Sequence, residues 1–368
     1  MPQDDATVLE RLPVKSTDPV ARELRELRAQ LAAEPDNAEA AVDLARRYFR
    51  LALAEGDPRF VGYAEAALHP WWGTPDPPHD ILVMRALLQQ YRHDFGGALG
   101  TLGAAAKSDP SDPEVHLWRA AILLVQADYA GAASACEALR ATAQALDYAG
   151  CRTSVDGVTG KAAQAYAMLN DSLAGSRRIR SGARLWMLTR LAEFSILVGE
   201  DDRAERHFRE ALALGVNDQF LLAAYADFLL DRHRPAEVIE LLKGWTRADT
   251  LLLRLALAEK AVDAPTLDQH VRTLQARFDA AALRGESLHQ QEEARLHLDL
   301  LGNPPRALTL AKDNWTLQRE PRDARILLEA ALAANDPAAA QPALDWLARS
   351  GYEDPRLRRL AVRLTTRP

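Results

Sequence analysis

The sequence lacks long apolar runs. Although 48% of its 368 residues are hydrophobic, no stretch approaches the roughly 18–20 residues that a membrane helix requires. Its opening residues, MPQDDATVLERLP, carry neither a basic region nor an apolar core, so no signal peptide is expected. The expected compartment is the cytoplasm by default, or the periplasm if a signal peptide has been removed. Glycine and proline, 19 and 20 in number, are scattered at punctuation points, which excludes a long low-complexity segment. Charge of one sign is also scarce: a net −7 spread over this length excludes a nucleic-acid footprint. Catalytic signatures are missing as well. There is no nucleophile elbow, no dinucleotide fingerprint, no HExxH and no pair of catalytic carboxylates, so neither an enzymatic activity nor a cofactor is expected.

What is present is a repeat. Arg85-Ala86 is answered by Arg119-Ala120, and Asp94-Phe95 by Asp128-Tyr129, each 34 residues later. Ala98 returns as Ala132, and Leu102 as Cys136. Further on, Ala192 and Ala204 return as Ala226 and Val238, and Phe208 as Leu242. Weaker echoes pair Ala132 with Ala165 and Ala307 with Ala340 at a shift of 33. Two helical patterns inside one such period describe a helical hairpin stacked many times. A small residue on each helix allows close crossing, an aromatic opening the second helix fills the wedge, and a medium apolar residue meets the next unit.

These residues and this period resemble the tetratricopeptide repeat (TPR) family, in the form of a bacterial TPR-repeat protein. The resemblance covers nearly the whole chain. It is strong at 79–140 and 185–243, where Ala86, Ala120, Ala192 and Ala226 stand in place of the family's glycine. It implies an all-α fold: a TPR-like α-solenoid, a right-handed superhelix of about nine antiparallel helix pairs with terminal capping helices. Residues 1–17 are expected as an extended leader, 18–353 as the solenoid, and 354–368 as a capping helix with Arg356, Arg358, Arg359 and Arg363 outward. The four prolines of the stretch 69–78 predict an irregular insertion, and 174–183 a longer linker. Length is no obstacle, because each repeat of a solenoid buries its apolar face only against its neighbours.

The resemblance also implies a role: a non-catalytic scaffold that binds a protein or peptide along a concave face lined by the first (A) helices, in the assembly or regulation of a bacterial complex. On the family register Met84, Leu87 and Tyr91, then Leu117, Trp118 and Ala121, face the groove. The later units offer Trp186, Arg190 and Glu193, then Phe220, Ala223 and Asp227. No Lys–Asn pair recurs, so the family's carboxylate clamp is absent. The partner-binding set is therefore apolar and aromatic with one cation: Met84, Tyr91, Trp118, Trp186, Arg190 and Phe220. The competing reading packs these residues inside a tight superhelix. No membrane insertion is expected.

Secondary features have two readings each. Arg177, Arg178, Arg180 and Arg184 form a basic patch that could steer an acidic partner, or a solvated linker and helix start. Trp71 and Trp72 are an exposed hot spot, or fold back onto adjacent helices. His289, Glu293 and His297 fall at i, i+4 and i+8, so one helix face presents them to a metal or makes a polar surface. A metal-dependent or accessory enzyme using these three, or a ligand-sensing regulator, is the alternative function. Gly157-Val158-Thr159-Gly160-Lys161 has too short a spacing for a phosphate loop and reads as an inter-helix turn. Cys136 and Cys151, the only cysteines, lie on helices that pack together in this architecture. They are free thiols in a reducing cytosol, or a disulfide in an exported protein.

Overall fold

The computed structural model describes residues 18–176, 178–285 and 289–366. The expected leader at 1–17 lies outside the described residues. Helix α1 (Pro19–Ala33) precedes nine helical hairpins: α2 (Ala38–Glu55) with α3 (Arg59–Leu68), α4 (His79–Tyr91) with α5 (Phe95–Ser108), α6 (Pro113–Val125) with α7 (Tyr129–Ala138), and α8 (Ala145–Val158) with α9 (Ala162–Gly175). There follow α10 (Ser181–Leu197) with α11 (Asp201–Leu212), α12 (Gln219–Leu230) with α13 (Pro235–Leu242), and α14 (Asp249–Ala261) with α15 (Leu267–Leu283). Helix α16 (Gln290–Arg295) runs through a π turn at Leu296–Leu300 to pair with α17 (Pro304–Leu317). Helix α18 (Pro321–Ala333) pairs with α19 (Gln341–Ser350) through a 3-10 turn at Pro337–Ala340, and α20 (Pro355–Thr365) closes the series. The chain is an all-α, TPR-like solenoid.

Each crossing is tight because small residues meet there. Ala86, Ala98, Ala132, Ala192, Ala204 and Ala226 have no accessible surface, and Ala120 is buried to within 1%. The residues expected to face the next unit, Leu102, Cys136, Phe208 and Leu242, are likewise fully buried. Any added methylene at these crossings must push two helix backbones apart.

The turns inside the nine pairs share one device. Each passes through a single residue in the left-handed region: Gly56, His93, Ala127, Gly160, Gly199, His233, Asp263, Gly302 and Asn335. In most, the next amide then reaches back five residues to close the first helix, as Asp94 N–H to Gln89 O, Asp128 to Leu123, Lys161 to Asp156 and Glu200 to Ser195. The same next residue often caps the second helix with its side chain: Asp94 accepts from Gly97 N–H at 2.9 Å and Asp128 from Gly131 N–H at 2.8 Å. One short segment thus satisfies both helix ends. Two turns differ: the first closes with Gly56 N–H to Ala52 O, and in the eighth the π turn adds a residue, so Asn303 N–H reaches His297 O.

The motif Gly157–Lys161 has its explanation in this packing. A Cβ on Gly157 would stand 2.2 Å from the Phe194 ring, and one on Gly160 would stand 2.9 Å from the carbonyl oxygen of Gly351. Cys136 on α7 and Cys151 on α8 are joined by a disulfide that staples the third pair to the fourth.

Three expectations need correction. Residues 69–78 are not wholly irregular: His69–Trp71 makes a 3-10 turn, with Pro70 in its first turn where a missing N–H costs little. The linker at 174–183 is shorter, because α9 runs to Gly175 and α10 starts at Ser181. The arginines of α20 do not all face outward. Arg356 turns inward to Asp231 and Asp354, while Leu357 and Leu364 are buried.

Candidate functional site

The A helices of successive pairs pack on one another, α2 on α4, α4 on α6, α6 on α8, α10 on α12 and α12 on α14. Arg46 of α2 forks onto Glu114 at the start of α6 with bonds of 2.8 and 2.9 Å, spanning the second pair. The curl brings distant units together: Gln219 Nε2, at the start of α12, donates to Leu53 O near the end of α2. Gly56 makes this approach possible, for a Cβ there would stand 2.5 Å from the Gln219 side chain and 2.9 Å from Ala248.

Three of the sequence-chosen groove residues meet as one cluster. The Arg190 guanidinium sits over the ring of Trp186 at 5.5 Å and over that of Phe220 at 4.8 Å, and pairs with Glu193 at 2.9 Å. Such stacking favours arginine, whose flat, weakly hydrated cation fits an aromatic face. Trp186 in turn leans on Gly150, where a Cβ would stand 2.9 Å from its ring. The remaining groove candidates lie elsewhere. Met84 has no accessible surface and is core, a correction to its expected place on the groove. Tyr91 packs edge-on against Phe49 at 6.1 Å, and Trp118 is half-buried against the core of the first three pairs.

A charged network that the sequence did not announce links the neighbouring A helices α12, α14 and α16. Asp227 accepts from Arg254 at 2.7 Å and from Arg295 at 3.2 Å. Burial alone would raise its carboxyl, but Arg254 and Arg295, with Arg325 beyond, hold it well below the usual carboxylate range. Asp231, one turn on, receives Arg325 at 2.9 Å and also Arg356. No motif could reveal these pairs, since Asp227 and Arg254 are 27 residues apart and Asp231 and Arg325 are 94 apart.

The aromatic cluster is also partly covered by the chain itself. Arg322 of α18 also lies over the Phe220 ring, at 5.2 Å. Tyr352 packs against both the core of pairs four to seven and that of pairs eight and nine, and burial pushes its hydroxyl well above the ordinary tyrosine range. Along the rim, Trp346 Nε1 donates to Tyr129 Oη at 2.7 Å, Arg319 N–H to Val125 O at 2.8 Å, and Ala162 N–H to Glu353 Oε2 at 2.7 Å. Burial lifts the Tyr129 hydroxyl to about 12. A tight superhelix, the competing expectation, is thus part of the outcome.

The secondary candidates separate. Arg177 lies outside the described residues, while Arg178, Arg180 and Arg184 are exposed around the start of α10. Trp71 is half-buried, with its carbonyl accepting from Arg85 at 2.6 Å. Trp72 stays 41% exposed, with the Arg85 guanidinium over its ring. His289 precedes α16, whereas His297 lies inside the π turn with its Nε2 3.8 Å from Glu293 Oε1, so the structure brings two of the three candidates together and leaves His289 off the helix. Glu293 is also held by Arg306 at 3.0 Å. Among the described residues no group of three donor side chains is placed to hold a metal ion, and no helix is long and apolar enough to cross a membrane.

No protein-family sequence model matches the chain, and no curated protein sequence matches it. Solved structures do. A chain of the Cut9–Hcn1 hetero-tetramer of the APC/C aligns over 94% of this chain at 14% identity with a TM-score of 0.55. This chain spans 66% of that one's length, less than two thirds. A monomeric IFIT1 mutant with Gppp-AAAA aligns over 94% of this chain and 86% of its own, at 14% identity and a TM-score of 0.42. Yeast Tom70 aligns over 94% and 85%, at 12% identity and a TM-score of 0.32. Only the first of these three is near enough in space to bear on the fold, and it agrees with a TPR-like helical solenoid.

Proposed function

We propose that the protein is a non-catalytic scaffold whose inner face holds a protein or peptide segment, in the assembly or regulation of a bacterial complex. The observation that carries this reading is the Trp186–Arg190–Phe220 cluster. Large aromatic and arginine side chains dominate binding at interfaces because they bury much area with few rotors to freeze. Around it, Asp227, Asp231 and Glu193 are each matched by arginines, a pattern that suits holding a shape better than moving protons. The named assembly of Cut9 with Hcn1 favours a partner-holding role for a similar solenoid.

The test is capture of partners by cross-linking in the source cell, followed by binding measurements with the partner identified. Trp186→Ala should weaken binding by at least about 2 kcal/mol with an unchanged helical circular dichroism spectrum. Arg209→Ala, on the exposed side of α11, should leave binding intact. Loss with Arg209→Ala and retention with Trp186→Ala would refute the inner-face assignment.

A second reading concerns compartment. The Cys136–Cys151 disulfide favours maturation in an oxidising space such as a periplasm over the cytoplasm expected by default.

A further inference from the structure

Pairs eight and nine, with α20, have a hydrophobic core of their own. It runs from Ala294 through Trp315 and Leu327 to Trp346 and Leu364, apart from the core of pairs four to seven, which reaches as far as Leu296. The division falls where α16 enters the π turn, so residues two apart serve different cores. Where this C-terminal unit meets pairs two to six, polar bonds lie beside the apolar packing of Tyr352 and Ala127. Gln318 meets His93 at 3.0 Å, and Arg319, Glu353 and Trp346 make the rim bonds to Val125, Ala162 and Tyr129. Arg325 and Arg356 converge on Asp231. Single bonds of this kind contribute little net energy each, whereas opening either core would expose its whole apolar lining.

We propose that residues 290–366 form a closing module that docks on the turn edge and inner face of pairs two to six and undocks as a unit about the π turn. When docked it covers Phe220 with Arg322 and engages Tyr129, so the groove is shut by the protein's own helix. That consequence rests on the scaffold reading above; the motion does not. The docking platform is held firm independently, because the disulfide ties the third pair to the fourth beside Tyr129. The module's charge suits the site: two arginines one helical turn apart on α18, Arg322 and Arg325, meet an aromatic ring and an aspartate.

The full-length protein tests this by amide hydrogen exchange. The Arg319 and Ala162 amides are each bonded across the closure, whereas Leu191 lies in the middle of α10. Raising salt from about 0.1 M to about 1 M cuts the screening length from about 10 Å to about 3 Å. Exchange at Arg319 and Ala162 should then speed up by about tenfold or more while Leu191 stays slow, as expected for a sub-global opening. Asp231→Asn should do the same at low salt. Trp346→Phe, which keeps the apolar ring and removes the N–H donor, provides a milder second variant. If Arg319 and Ala162 exchange at the Leu191 rate at both salts and in both variants, the module never opens on its own and the proposal fails. The readout needs no partner, so failure to find one leaves it standing.

Discussion

Asp227 accepts a 2.7 Å bond from Arg254, a guanidinium with only 2% of its surface accessible, and it receives Arg295 on its other oxygen. One carboxylate therefore neutralises two arginines on successive A helices. Removing it would leave buried positive charge without a counterion, which costs more than the pair itself contributes. Asp227→Ala is expected to destabilise the fold by about 3–5 kcal/mol, read as a lower urea midpoint with an unchanged slope. A loss under about 1 kcal/mol would mean that the pair behaves as an exposed one.

Helix crossings set a second expectation. Ala98 and Ala132 have no accessible surface, so Ala98→Leu or Ala132→Leu must force α4 from α5, or α6 from α7. Each should cost about 1–3 kcal/mol in chemical denaturation. A variant that melts like the parent would show that the crossing has slack.

The disulfide gives a third. The cysteines are 15 residues apart, and closing a loop of that size restricts the unfolded chain by about 3 kcal/mol. Labelling of denatured, unreduced protein from its native compartment should find no thiols, and reduction should lower stability by about that amount. Two labelled thiols per chain would remove both the staple and the argument for an oxidising compartment.

Acid sensitivity supplies a fourth. The fork from Arg234 holds the Glu205 carboxyl at about 2 against an ordinary 4.5, despite burial acting the other way. The folded state thus binds this proton less readily than the unfolded chain. Its stabilisation is complete above about 4.5 and is lost as pH falls toward about 2. Glu205→Gln should be less stable at neutral pH and show a flatter decline of melting temperature across that acid range. An unchanged slope would mean that the Glu205–Arg234 link between the fifth and sixth pairs carries no weight.

The sequence by itself determined the repeating unit. Ala86 with Ala98, Ala120 with Ala132, and Ala192 with Ala204 are contacts inside one hairpin, so their spacing is written directly into the chain. The caps at Asp94 and Asp128 are equally local. So was the pairing of Cys136 with Cys151, which needed only adjacent units to stack; whether the two sulfurs are bonded was left open. Partial legibility begins at the turns. All nine pass through a left-handed residue, but His93, Ala127, His233, Asp263 and Asn335 are not glycine, because the back-bonded helix end holds the backbone there, aided after His93, Ala127 and Asn335 by a side-chain cap. Trp186, Arg190 and Phe220 share one cluster, as their common place on the family register allows, yet Met84 was not distinguishable from them until its burial was seen. Only the tertiary structure decided how the solenoid closes. A small rotation per repeat, accumulated from the third pair to the ninth, brings Trp346 to Tyr129, and from the sixth to the ninth it brings Arg325 to Asp231. A repeat pattern encodes contacts between neighbours and carries no record of where that accumulated rotation ends.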